Sequence, residues 1–262
     1  AGRSTWARAK DASSPCRIAI RLTTASAPCS TRVSAAGSNT SATTGSTVGS
    51  ERTLAAGADT LTLRFESAPV EGRKLAKTFT FRRGEYTVAV KHEVINGGSV
   101  PIKPQLYLQL ARDGNPPPGE SSFYSTFTGP AMYTEASKFH KIDFKDIEKS
   151  SAEHDKSADN GWIAMVQHYF ASAWLLPAGG QREYRTAKVE DNLFTIAMVQ
   201  PLGEIAPGAS KSHEALLFAG PQEEDKLAAL ATGLELVKDY GWLTVLSKPL
   251  FWLLTKLYGF LG

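Results

Sequence analysis

From Thr60 onward the chain repeatedly alternates apolar and polar residues with a period of two, and a chain patterned this way must fold as sheet. Leu61, Leu63 and Phe65 alternate with Thr62, Arg64 and Glu66, and Phe79 and Phe81 with Thr78, Thr80 and Arg82. Tyr86, Val88, Val90 and Val94 carry the pattern along a longer strand. Asn96-Gly97-Gly98-Ser99 then supplies residues tolerant of positive φ, at which the chain can reverse. Leu106, Leu108 and Leu110 form the next run, which stops at Gly114 and the prolines 116–118. Residues 184–190, 193–200 and 213–219 add further short strands. Their recurrence predicts a large, mainly β, antiparallel sandwich.

One stretch resists the alternation. Residues 161–177, GWIAMVQHYFASAWLLP, are apolar almost throughout. Periodicity alone allows a buried helix, but the strand-like flanks and the Pro177-Ala178-Gly179-Gly180 turn favour one or two strands. Within it, Trp162, Tyr169, Phe170 and Trp174 are candidate cleft aromatics for a sugar, or core residues packed between two sheets. Core packing is the more economical reading.

Helix signals come late. Pro221 opens a helix near 221–232, with Glu223, Glu224 and Asp225 in its first turn, where carboxylates complement the helix dipole. Leu227, Leu230 and Leu234 follow on one face, and Gly233 ends the helix. After Trp242, Ser247 can cap a second helix with Pro249 in its first turn. Leu250, Phe251, Trp252, Leu253, Leu254, Leu257, Tyr258, Phe260 and Leu261 follow, interrupted by Thr255, Lys256 and Gly259. A helix over 249–262 is about 20 Å long, whereas a bilayer core is about 30 Å thick. Two readings stand on the residues alone. The segment lies in a membrane interface, with Trp252 and Tyr258 at headgroup depth and Lys256 snorkelling outward, or it is a core helix of the domain.

Residues 1–50 differ in character, with more than half Ser, Thr and Ala. Arg-rich, acid-poor composition is what a transit peptide shows, but a linker or sequence foreign to the fold is the favoured reading. This stretch holds six of the 29 basic residues and one of the 26 acidic ones, leaving 51–262 with 23 and 25, a net charge of −2. That balance excludes the charge excess of a nucleic-acid binder. The two cysteines, Cys16 and Cys29, suit an oxidising compartment and the cytosol equally. The chain lacks an initiator Met, a clear signal peptide and an apolar run long enough to span a bilayer, so it is expected to be a fragment or to take its export signal from elsewhere.

No catalytic pattern stands out. His92, His140, His154, His168 and His213 form no HxxxH, HExxH or Cys/His metal spacing. GxSxG, the Walker loop and GxGxxG are absent. Lys138, Lys141, Lys145 and Lys149 interleave with Asp143, Asp146 and Glu148 as a solvated mixed-charge face. No cofactor, metal or catalytic residue is expected.

Three stretches, GWIAMVQHYFASAW (161–174), FAGPQEEDKLAALA (218–231) and DYGWLTVLSKPLFWLLTKLYGFLG (239–262), resemble the periplasmic domain of the YidC-type bacterial membrane protein insertases, the YidC/Oxa/Alb family. FTGPAMYTEASKFHKIDFKDI (127–147) is similar to that family's middle region. The resemblance runs from about Val48 to the C-terminus and leaves 1–47 as an atypical segment unlike the family's opening strands. It divides the chain into 1–47, a sandwich at 48–238 and a connector at 239–262. It implies a twisted β "supersandwich", similar to mutarotase and carbohydrate-binding domains, with short C-terminal helices. It implies a non-enzymatic role: docking translocon partners and orienting a transmembrane core that follows the chain. The expected location is the periplasmic face of the bacterial inner membrane. The expected partners are the Sec translocon with SecD/SecF, nascent inner-membrane proteins handled by the absent core, and the lipid surface. The membrane-interface residues are then Trp242, Pro249, Leu250, Phe251, Trp252, Leu254, Lys256, Leu257, Tyr258 and Phe260. The alternatives are a periplasmic carbohydrate- or peptide-binding module and, third, a mutarotase-like enzyme.

Overall fold

The computed structural model describes residues 53–116 and 126–238, the strand backbones at 17–23, 31–36 and 46–48, and five positions of the C-terminal segment, namely 249, 253, 254, 256 and 257. In chain order the strands are β1 (Arg17–Thr23), β2 (Thr31–Ala36), β3 (Ser46–Val48), β4 (Thr60–Glu66), β5 (Arg73–Arg82), β6 (Thr87–Asn96), β7 (Gln105–Asp113), β8 (Gly129–Thr134), β9 (Lys138–Lys141), β10 (Ser157–Ala158), β11 (Trp162–Val166), β12 (Phe170–Leu175), β13 (Arg182–Glu190), β14 (Leu193–Pro201) and β15 (Ser210–Pro221). Helix α1 (Phe144–Glu148) follows β9, while α2 (Glu224–Leu230) and a 3-10 helix (Leu234–Val237) follow β15. They form a six-stranded sheet, β10-β13-β14-β7-β1-β2, and a nine-stranded sheet, β3-β4-β5-β6-β15-β12-β11-β8-β9. All pairings are antiparallel except β1 with β7. The chain is the mainly β two-sheet sandwich that its alternation predicts.

Three expectations shift. The segment read as a linker contributes β1, β2 and β3; Ile18, Ile20 and Leu22 alternate, a period hidden among the surrounding Ser, Thr and Ala. Pro221 closes β15 instead of opening the helix. Asn96–Ser99 does not fold the chain back into a hairpin but carries it from β6 to β7 in the other sheet. Gly97 is required there by proximity, since a Cβ would lie 2.8 Å from the Gly72 carbonyl oxygen. The buried Asn96 side chain fastens this crossing, donating to Val100 O at 2.9 Å and Ile205 O at 3.0 Å.

Between the sheets lie Val90, Val94, Leu106, Leu108, Leu110, Ile163, Met165, Trp174, Ile196 and Met198, with Phe79 and Leu217 toward the margin. The Trp174 indole donates across the sandwich to Gln109 O at 3.3 Å. The two faces of the nine-stranded sheet differ along its width. At β4–β6 the outer face is a solvated ladder in which Arg64 pairs with Glu66 at 2.8 Å and also with Glu93. At β8, β11, β12 and β15 the outer face is apolar, carrying Ala131, Tyr133, Trp162, Ala164, Val166, Ala171, Ala173 and Phe218.

Helix α2 and the 3-10 helix cover that apolar face. Leu227, Leu234 and Val237 are fully buried against it, each contributing roughly 1.5–3 kcal/mol of burial free energy. Tyr133 stacks on Trp162 with centroids 5.9 Å apart, and the Trp162 indole donates to Thr232 O at 3.0 Å. Gly233 makes the joint between the helices with φ of +77°, and a Cβ there would meet the Tyr133 ring at 2.5 Å. Gly233→Ala therefore combines a left-handed backbone cost with a ring clash. It is expected to lower the stability of the folded domain by about 2 kcal/mol or more, measured as the urea midpoint; an unchanged midpoint would show the joint to be plastic.

A basic row crosses the interior. Lys77, His92 and His213 are consecutive cross-strand neighbours on β5, β6 and β15, all on the inner face. The Lys77 ammonium, both His92 ring nitrogens and His213 Nε2 are buried without hydrogen-bond partners. Burial pushes Lys77 down to about 7 and His92 to about 3, the latter also through the neighbouring Lys77 and His213. Between pH 7 and 10.5 the unfolded chain binds the Lys77 proton and the folded chain does not. Stability therefore rises with pH across that window, by about 1.4 kcal/mol per unit from this group. His92 contributes a loss of stability as pH falls from 6.5 toward 3. Lys77→Met is expected to stabilise the domain at neutral pH by a few kcal/mol and to flatten the alkaline rise. Parallel unfolding curves for the variant and the parent at neutral and alkaline pH test this; equal pH slopes would refute it.

Candidate interaction surface

The polar ends of the covered face define the surface of interest. β11 and β12 join through residues 167–169, and the tip is stapled by one side chain. Gln222, just past β15, donates its amide Nε2 to Gln167 O at 2.7 Å and to Phe170 O at 3.2 Å. Its backbone N–H donates to Tyr169 O at 3.0 Å, and Gln167 N–H to Phe170 O at 2.9 Å. His168 is half-buried, shares a hydrogen bond through Nδ1 with the Thr126 hydroxyl, and sits edge-on to Tyr169 with ring centroids 3.9 Å apart.

The four candidate aromatics part company here. Trp174 belongs to the inter-sheet core and Trp162 to the outer cluster beneath the helices, both sealed from solvent. Tyr169 and Phe170, by contrast, are 70% and 56% exposed. The structure thus brings none of the four into a shared cleft. Tyr86, itself 45% exposed, adjoins the same end of the sheet: its carbonyl accepts from Ala219 N–H, and its ring lies against Gly220. Gln222, which organises the tip, carried no signal in the sequence beyond standing next to Pro221.

Among the C-terminal candidates, Pro249, Leu254, Lys256 and Leu257 are helical and exposed, as is Leu253. Trp242, Leu250, Phe251, Trp252, Tyr258 and Phe260 lie outside the described residues. Among the described residues no helix is long and apolar enough to cross a membrane.

A cleft of about 250 Å³ opens beside the sheet edge at β8 and β9, lined by Met132, Thr134, Ser137, His140, His154 and Asp155. Two of its titratable groups, Asp155 and His154, are committed to the fold. Asp155 accepts from the Thr134 and Ser137 hydroxyls, which hold its carboxyl below the usual range. The His154 ring bonds Asp155 O through Nδ1 at 2.8 Å and faces the Thr186 hydroxyl at 3.2 Å and the Lys156 ammonium at 3.3 Å through Nε2. Partial burial lowers the His154 pKa, so the neutral ring with Nδ1–H donating fits these partners. No cluster of three or more metal-ligating side chains occurs among the described residues.

Among solved structures, a putative aldose 1-epimerase from Escherichia coli K12 overlaps with a TM-score of 0.39 and 12% identity, covering 67% of this chain and 68% of that one. A galactose mutarotase related enzyme from Lactobacillus acidophilus overlaps with a TM-score of 0.41 and 7% identity, covering 67% and 70%. Likeness of that degree carries no chemistry. Sequence relatives are much nearer. The protein of Cupriavidus taiwanensis named membrane protein insertase YidC is 58% identical over 191 residues, 73% of this chain and 34% of that protein. The protein of the same name from Bordetella pertussis is 52% identical over 215 residues, 82% and 38%. The chain thus spans little more than a third of the length of the curated relatives it matches. The model of the YidC periplasmic domain matches residues 22–253, beginning within the 1–47 segment that the resemblance leaves outside the family. With that match running from the end of β1 to Leu253 in the C-terminal segment, the chain belongs to the YidC periplasmic domain family.

Proposed function

We propose that this domain serves a membrane protein insertase at the periplasmic face of the inner membrane, without catalysis of its own. It docks Sec components, SecD/SecF among them, and orients the transmembrane core through the 239–262 connector. The sandwich at 48–238 is the docking body, and the connector lies along the bilayer interface. The single observation that carries the reading is the exposure of Leu253, Leu254 and Leu257 on helical backbone in a member of this family. Half-exposed leucines spaced along one helical segment need a bilayer or a partner to cover them. The non-catalytic part is supported by Asp155 and His154, whose polar atoms are spent on internal bonds. A sugar platform is disfavoured because Trp162 and Trp174 are buried.

Removing residues 249–262 is expected to abolish most co-sedimentation with liposomes while leaving the urea midpoint of the sandwich unchanged. Undiminished sedimentation, or loss of the folded state, would sink the connector role. Docking is tested separately in the full-length insertase, by photo-crosslinkers placed at exposed positions of the domain. Adducts with Sec components are expected at a contiguous set of positions, and a scan yielding none would eliminate docking.

A further inference from the structure

The last side chain of the described body reaches back to the part of the domain that carries the exposed aromatic tip. β12 begins at Phe170 directly opposite Pro221, the last residue of β15. Gln222 then bonds the tip, and α2 starts two residues later. Helix α2 runs away from the tip toward Thr232 over Trp162, and the 3-10 helix returns, so that the Lys238 ammonium lies 3.9 Å from the Glu224 carboxylate in the first turn of α2. The end of the described body thus reaches back by its last side chain to the first turn of α2, the turn that follows Gln222 and the Tyr169–Phe170 tip. Ten residues separate Lys238 from Pro249, and at about 3.5 Å per residue they hold this pole within about 40 Å of wherever the connector lies.

On that basis, and resting on the interfacial reading of the connector, we infer that the Tyr169–Phe170 tip is a second bilayer contact, placing its rings in the headgroup region beside the connector. The chemistry of the tip suits a lipid interface. Tyr169 joins an apolar ring to a polar hydroxyl, the combination that settles at headgroup depth, and Phe170 supplies apolar area. The backbone is prepared for a drier medium. The carbonyls of Gln167, Tyr169 and Phe170 already accept from Gln222 or Gln167, so entry leaves none of these three acceptors unpaired. The acidic run 223–225 nearby is largely offset, Glu223 by Lys226 at 2.8 Å and Glu224 by Lys238. Contact should therefore be driven by apolar area and depend little on salt.

The test places an environment-sensitive nitrobenzoxadiazole dye on the 262-residue chain. One variant carries it at Tyr169→Cys and another at Leu257→Cys, with Cys16→Ser and Cys29→Ser in both. Vesicles of phosphatidylethanolamine and phosphatidylglycerol are added, with brominated lipid as quencher. A blue shift and quenching at both positions are expected. A response at 257 with none at 169 overturns the second contact and leaves the connector reading intact; silence at both overturns both. As a second arm, unlabelled Tyr169→Ser/Phe170→Ser should raise the lipid concentration for half-binding by about tenfold, with an unchanged urea midpoint. Unaltered affinity, or binding lost steeply on adding salt, overturns the proposal, as does photo-crosslinking of position 169 in membranes to protein in place of lipid.

Discussion

The structure depends on one constraint: four neighbouring strands of the larger sheet are apolar on both faces. In β11 the side chains of Ile163 and Met165 enter the space between the sheets, while Trp162, Ala164 and Val166 point the other way. β12 repeats the division with Trp174 on one side and Ala171, Ala173 and Leu175 on the other. A sheet of this kind is stable only as the middle layer of three. The smaller sheet supplies one cover and the α2–3-10 pair the other. The terminal helices are thus a structural layer, and their positions follow from the sheet beneath them.

The same constraint explains which parts of the fold were legible in the sequence. Strands with one wet face, such as β4 and β5, announce themselves by alternation, because Arg64 and Thr78 must meet water while Leu63 and Phe79 must not. β11 and β12 lose the alternation because neither face is wet, which left 161–177 open to a helical reading. The exposed tip vanished inside that run for the same reason: nothing in the residue types separates Phe170, which projects from the rim, from Trp174, which is sealed at the centre of the core. β1 was hidden differently, by small residues flanking Ile18-Ala-Ile20, and its pairing parallel to β7 is a long-range fact that local periodicity does not encode. The resemblance to the family, by contrast, implies a connector at the C-terminal segment, where periodicity alone leaves a core helix equally open.

Charges inside the sandwich are handled in two ways. Arg182 is sealed from solvent, but its guanidinium donates to Gly161 O at 3.1 Å, Asp159 O at 3.2 Å and Pro177 O at 2.7 Å, tying β13 of one sheet to the loops at the ends of β11 and β12 in the other. A buried cation with three carbonyl partners can remain charged, and removing it would orphan the carbonyls. Lys77 has no such partners, so burial is relieved by losing the proton. The first device fixes how the sheets meet; the second leaves a neutral amine and two imidazoles enclosed between them.

A scaffold proposed to orient a membrane core must transmit its own orientation to it, and a single point of attachment transmits very little. The ten residues between Lys238 and Pro249 set an upper bound on the distance between the described body and the connector. Two features convert distance into orientation. The exit at Lys238 is held to α2, and α2 is held to the sheet through Leu227 and the joint at Gly233, so the link departs from a rigid body. A second contact at the Tyr169–Phe170 tip, on the same pole, supplies the further point needed to limit tilt against the bilayer. One anchor permits rotation about the link, whereas two neighbouring points on a rigid domain restrict it, and the effective concentration of the second contact is raised by the first. On the proposed reading, the layer that covers the apolar face thereby also sets where the domain meets the membrane.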